Sequence, residues 1–270
     1  MKNAKVLKPL LLSAAAIMLV VATMFATMAY LTASSAVSNV FTVGNVTMQM
    51  FESKVTPDGK YADGAGDLTK KKTADTNSYH LQPGMSYIKD PTVYVDPNSD
   101  EAYLFIRLRN DLKTIEAQNG KTIVEQLRAN GWLEIERADS NVDAVFVYVG
   151  IDLTERYAAA VATVGPKSDD TKYSTYTTAI LAQMDDIPAK PVGAVENDNY
   201  TKVEGYQAID VFSNFTLQTK IPDLNMFGGA RVAIVAYAIQ TNGVSTADKY
   251  TKDAYLDAWN VVKTELPFVS

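Results

Sequence analysis

Ala102-Tyr-Leu-Phe-Ile-Arg-Leu-Arg-Asn110 alternates with a period of two: Leu104, Ile106 and Leu108 point one way, and Tyr103, Phe105, Arg107 and Arg109 the other. That period belongs to a β-strand with one face buried. Outward from it the same pattern recurs. In Asn45–Phe51, Val46, Met48 and Met50 share a face, and Phe215, Leu217, Thr219 and Ile221 alternate with polar residues. Ala144–Ile151 and Arg231–Gln240 are apolar on both faces and read as central strands; Thr92–Val95 is a short strand opened by Pro91, where a missing N–H is tolerated. Fifteen tyrosines and nine phenylalanines suit pleated surfaces.

Helical spacing is confined to a few segments. Ile115–Asn130 carries Ile123, Val124 and Leu127 as an apolar stripe and stops at Gly131; Thr251–Thr264 carries Ala254, Leu256, Ala258, Trp259 and Val262 and stops before Pro267. Thr246 could open the second helix earlier through a capping bond. Thr154–Val164 reads as a third, short helix. Thr56–Tyr79 reads as a polar loop, and Gly165–Gly205, too long for a turn, as an insertion with short strands of its own. The expectation is a mainly β protein, a β-sandwich with a few peripheral helices and an insertion at about 153–209.

The N-terminus bears on location. Lys2, Lys5 and Lys8 precede an apolar run, Pro9–Ala29, that ends in small residues, the order of a secretory signal. The run is also long enough for a retained anchor, since about 18 apolar residues can span a bilayer. Small residues at Thr27 and Ala29 favour cleavage between Ala29 and Tyr30, with cuts after Ala26 or Tyr30 as alternatives. Residues 1–29 are then the signal, and 30–270 lie outside the cytoplasmic membrane, secreted or at the cell surface. Their loss removes three lysines and no acid, leaving a chain three charges more acidic than the formal −6 of the whole. That balance disfavours nucleic acid as a partner, because phosphate binding needs clustered Lys and Arg. The one basic cluster, Lys70-Lys71-Lys72, lies beside several acids and reads as solvated loop.

The chain has no cysteine and one histidine, His80. Cys–His and multi-His metal sites are thereby excluded, and no Gly-x-Ser-x-Gly motif is present. The run from Asp58 through Asp63 to Asp67 superficially suggests calcium, but lacks the alternating acids and closing Glu of a calcium loop, so a solvated turn is the better reading. Asp185-Asp186 and Glu196-Asn197-Asp198 are weaker still. No catalytic, cofactor or metal residue is expected.

Several blocks converge on a resemblance. Ala29-Tyr-Leu-Thr-Ala-Ser-Ser-Ala-Val-Ser-Asn-Val-Phe-Thr-Val-Gly-Asn-Val46 resembles the exported substrates of the SipW-type signal peptidase. Leu81-Gln-Pro-Gly-Met-Ser-Tyr-Ile-Lys-Asp-Pro-Thr-Val93, then Glu101-Ala-Tyr-Leu-Phe-Ile-Arg107, Gly131-Trp132 and Arg231–Gln240, resemble the TasA/camelysin family of matrix proteins. The resemblance covers most of 20–152 and 210–262 and leaves 153–209 unaccounted for. It implies a jelly-roll sandwich over 45–270 that polymerises head to tail with copies of itself into extracellular biofilm-matrix fibres. A signal peptidase processes it, and a minor anchoring protein is a further candidate partner. The segment freed by cleavage, 30–44, would insert into the next subunit as a donor strand with Val37, Val40, Phe41 and Val43 as its apolar residues. An exposed sheet edge accepts such a strand through main-chain hydrogen bonds, and burying each large apolar group contributes about 1.5–3 kcal/mol. The alternative is that Val37–Val43 forms the first strand of its own sheet. The metallopeptidase activity attributed to some members is not carried over, since one histidine cannot build a zinc site. A different function class stays open: a monomeric surface module in which Tyr173, Tyr176, Tyr200 and Tyr206 contact a carbohydrate or a protein.

Overall fold

Two layers of sheet and one of helix make up the computed structural model, which describes residues 32–43, 45–62, 64–117, 120–184, 186–194 and 200–263, with backbone alone over 32–43 and at 262. The strands are β1 (Thr32–Val43), β2 (Met48–Phe51), β3 (Thr76–His80), β4 (Ser86–Ile88), β5 (Thr92–Val95), β6 (Ala102–Asn110), β7 (Trp132–Arg137), β8 (Asp143–Tyr148), β9 (Thr201–Val203), β10 (Tyr206–Asp210), β11 (Asn214–Thr216) and β12 (Val232–Gln240). The helices are α1 (Ile123–Ala129), α2 (Thr154–Val164), α3 (Tyr173–Ala182) and α4 (Lys252–Val262). With 31% strand against 22% helix, the protein is mainly β.

A six-stranded sheet, ordered β3-β1-β12-β6-β8-β7, faces a four-stranded sheet, β2-β5-β10-β9, and a two-stranded one, β11-β4. The ladders are antiparallel except that between β1 and β12, which is parallel. Between the sheets lies one core. Leu104, Ile106 and Leu108 of β6 and Ile234, Ala236 and Ala238 of β12 meet Met48, Met50, Val93, Val95, Ile209 and Phe215 from the facing sheets. The residues that alternate with them build a second core on the other side. Tyr103 and Phe105 of β6, Val145 and Val147 of β8, and Tyr237 and Ile239 of β12 are covered by Ala160 of α2, Ile180 of α3 and Ala254, Tyr255, Ala258 and Trp259 of α4.

This corrects the one-face reading of β6. Tyr103 and Phe105 are as buried as Leu104 and Ile106, and Arg107 is buried with its guanidinium 5.2 Å from the Trp259 ring centre. Residues 153–209, which hold α2, α3, β9 and most of β10, supply much of the cover.

Other boundaries move for local reasons. The helix expected over Ile115–Asn130 is a 3-10 turn at Lys113–Ile115 followed by α1, because Thr122 caps at Ile123: its hydroxyl accepts from the Glu125 N–H while the Glu125 carboxylate accepts from the Thr122 N–H. Gly131 then takes φ +83°, and a Cβ there would stand 2.8 Å from the Gly150 Cα. Thr251, not Thr246, precedes the first turn of α4. The strand read over Phe215–Ile221 is Asn214–Thr216, with Leu217 continuing as an isolated bridge to Glu116. The loop expected over Thr56–Tyr79 contains most of β3, whose Asn77 and Tyr79 are buried while Thr76, Ser78 and His80 are exposed.

Candidate functional site

The strand β1 is built in two halves. Thr32–Ala36 pairs antiparallel with His80–Thr76, and Val37–Val43 pairs parallel with Ile234–Ile239 of β12, with an irregularity between Val37 and Val40. The expected donor residues fall in the second half. Val37 pairs with Ile234, Val40 with Ala236, Phe41 with Tyr237 and Val43 with Ile239. In the isolated chain this segment is therefore a strand of its own sheet. Ala29 and Tyr30, the expected cleavage residues, lie outside the described residues, as does Gly44.

The topology gives β1 a special position. Among the described strands, β3 forms its only ladder with β1, and β12 has β1 on one edge and β6 on the other. Without residues 32–43 the six-stranded sheet would present the β12 edge unpaired, over a core that includes Ile234, Ala236 and Ala238. Parallel pairing within one chain needs a long crossover, and here it joins the first described strand to the last. A strand arriving from a second chain carries no such requirement.

What remains of β3 is held by side chains. Asn77 Nδ2 donates to Glu52 Oε1 (2.8 Å) and to the Ser53 carbonyl (2.9 Å), while its Oδ1 accepts from the Val55 N–H (3.1 Å). Tyr79 Oη donates to the Ile88 carbonyl (2.9 Å) and stacks edge-on against Tyr87 and Phe215. Glu52 also takes Lys89 Nζ at 2.8 Å on its other oxygen, and both side chains are fully buried. Burial lowers the Lys89 pKa, against the opposing pull of Glu52 and Asp90. The sequence held a signal for this cluster: the period-two face of Val46, Met48 and Met50 continues to Glu52.

A polar cavity of about 240 Å³ opens beside α1, between the 3-10 turn, β7 and the α2–α3 pair. At its centre Arg137 donates from Nε and Nη2 to the two oxygens of Glu134 (2.5 and 2.7 Å), and Thr177 donates to the same carboxylate. Arg128 Nη2 lies 3.5 Å from Glu134 and its guanidinium sits on the Tyr157 ring; its Nε is buried with no hydrogen-bond partner. Burial works against the Glu134 charge, yet the Arg137 guanidinium outweighs it and holds the carboxyl below its ordinary range. Burial pushes Glu116 up to about 7 and, helped by Arg137, brings Lys113 down to about 8. Tyr173 and Tyr176 line this cavity, whereas Tyr200 packs against Tyr148 and Tyr206 against Tyr94. The four tyrosines of the binding-module reading are thus not brought together. Lys113, Arg128, Glu134 and Arg137 escaped sequence reading because three separate segments supply them.

The remaining motifs are local. Lys70 is solvated, but Lys71 lies over the Phe51, Tyr94 and Tyr206 rings, and Lys72 binds Asp90 and Thr92, so two of the three lysines pin the loop. Asp67 accepts from the Thr69 N–H and hydroxyl, a turn contact. Asp63, Asp185 and 196–198 lie outside the described residues. Among the described residues no group of three or more His, Asp or Glu is placed to hold a metal ion, and no helix is long and apolar enough to cross a membrane. Comparison with family models, curated proteins and solved structures finds no match to this chain.

Proposed function

We propose that the chain is a secreted structural subunit of an extracellular fibre of the TasA/camelysin type, a jelly-roll sandwich without enzymatic activity that polymerises by exchanging its N-terminal strand. The supporting observation is the position of β1 between two strands that have no ladder with each other. Its register with β12 and β3 is set by main-chain pairing, which an identical strand from a neighbour reproduces. Withdrawal from its own sheet and insertion into the next is a heterologous contact that does not close, so it propagates. Cleavage near Ala29 frees the strand, and a signal left in place ties it to the membrane.

The test is negative-stain electron microscopy of the secreted protein with its N-terminus determined by mass spectrometry. A chain beginning near Tyr30 forms filaments, and one lacking 30–43 does not. Monodisperse particles from the chain beginning near Tyr30, at every concentration and pH, would sink the proposal.

One observation favours a second reading, a surface binding module. The cavity around Glu134 combines three tyrosines with paired charges, a lining suited to a polar ring such as a sugar. Tyrosine fluorescence titrated with a panel of neutral, amino and acidic monosaccharides checks it. Saturable change lost in Tyr173→Ala supports the reading, and a flat response across the panel removes it.

A further inference from the structure

Lys89, Glu52 and Asn77 meet in a fully enclosed pocket: Lys89 and Glu52 are 0% exposed and Asn77 is 6% exposed. The Lys89 amine and the Asn77 amide nitrogen occupy the two oxygens of one carboxylate, each at 2.8 Å. The amide orientation follows from its partners. Nδ2 faces two acceptors, Glu52 Oε1 and the Ser53 carbonyl, and Oδ1 faces the Val55 N–H. Asp90, the other nearby acid, is engaged by the Ser53 N–H and hydroxyl and by Lys72. Tyr79 and Tyr87, two residues from Asn77 and Lys89 respectively, form an aromatic cluster with Phe215.

From this constellation we propose that Lys89 and Asn77 become joined by a spontaneous side-chain amide bond, with Glu52 as the proton carrier. An amine is nucleophilic only when neutral, and full burial works against the charge on Lys89. The proton on Lys89 Nζ passes to Glu52, and the free amine attacks Asn77 Cγ. Negative charge developing on Oδ1 falls on the Val55 N–H, an oriented donor already in place. The new bond is Nζ–Cγ and the broken one is Cγ–Nδ2. Glu52 relays protons from Nζ to Nδ2, which leaves as ammonia, so no oxidant, metal or co-reactant is consumed. The shared carboxylate holds the amine and the amide side by side, and that proximity lowers the barrier.

The product would tie β3 covalently to the segment between β4 and β5. That matters because β3 has its only described ladder with β1. A chain without cysteine would gain a crosslink that no reductant opens. The bond forms within one folded chain and stands apart from whether strands exchange between chains.

Intact-mass measurement of the purified full chain tests this. The protein is expected to be lighter than its sequence by one ammonia. Chymotrypsin cuts at Tyr79, Leu81 and Tyr87, between the two residues, and should release one branched peptide holding both. Glu52→Gln and Lys89→Met should each restore the sequence mass. If those variants fail to fold, the branched peptide of the unaltered protein decides alone. The full sequence mass would overturn the proposal, and so would an ammonia loss confined to a linear peptide cyclised at Asn77-Ser78.

Discussion

Phe105 and Ile106, neighbours on β6, are each 0% exposed yet belong to different cores. Ile106 lies between the sheets, and Phe105 lies under α4 with its ring 5.3 Å from that of Trp259. Replacing either with Ala should cost about 2–5 kcal/mol, since each leaves a cavity in a packed interior. The consequences should differ in place. Phe105→Ala loosens the helical layer, so amide exchange accelerates in α2–α4 before the sheets; Ile106→Ala accelerates exchange in β5 and β10. Urea unfolding with peptide-resolved hydrogen exchange checks both, and identical exchange maps would refute the two-core description.

Two glycines with nearly the same φ should respond differently to a methyl group. Gly131 and Gly165 have φ of +83° and +86°, a region costly for any residue with a Cβ. At Gly165 the Cβ meets open space, whereas at Gly131 it meets the backbone of Gly150 and Ile151 at 2.8 Å. Gly165→Ala should therefore show the conformational cost alone, about 1–3 kcal/mol. Gly131→Ala adds a backbone clash that no side-chain rotation relieves, and its melting temperature should fall well below that of Gly165→Ala.

These residues also mark what the sequence makes legible. Period-two alternation found β2 and β6, Pro91 marked the start of β5, and apolar runs found the central strands β8 and β12, because burial on one or two faces writes itself into local pattern. The second core was not legible. Tyr103 and Arg107 read as an outer face because polar tips disguise a ring and a stem that pack. Most of β3 was lost in a polar loop for the same reason: its inward residues are Asn77 and Tyr79, whose polar atoms bind Glu52 and the Ile88 carbonyl. The cavity residues Lys113, Arg128, Glu134 and Arg137 come together only through the packing of β7 against α1 and α3, which no spacing encodes.

Glu116 makes stability depend on pH in an assignable direction. It is 2% exposed, and burial raises its pKa from 4.5 to about 7, opposed by hydrogen bonds from Ile123 and Asn110 and by Lys113. The folded state then binds the proton more tightly than the unfolded one. Unfolding releases protons between those two values, so stability falls as pH rises through that window. Glu116→Gln keeps an acceptor and removes the buried charge. It should match the parent near pH 4.5 and exceed it above pH 7, by on the order of 2–3 kcal/mol. Urea unfolding of both proteins across the range measures the difference directly, and Lys113, common to both, largely cancels. A constant offset at all pH values would contradict the assignment.

The last prediction holds β1 in its own sheet. Ser34 and Ser78 are directly paired in the antiparallel β1–β3 ladder, and Ser78 is exposed. Opposed positions in such a ladder lie about 4.5–5.5 Å apart between Cα atoms, within the span a disulfide bridges. The chain has no other cysteine, so Ser34→Cys with Ser78→Cys forms one defined bond or none. Oxidised, the strand is tied to its own β3 and cannot reach a neighbour; reduced, it is free. If strand exchange builds the fibre, oxidised protein stays monomeric by light scattering, and reductant added to the same sample starts filament growth. The single variant Ser34→Cys, treated identically with its thiol blocked, should form filaments in both conditions. Fibres of equal length from the oxidised double variant would mean that assembly proceeds with β1 in place, and the exchanged element would have to be sought elsewhere in the chain.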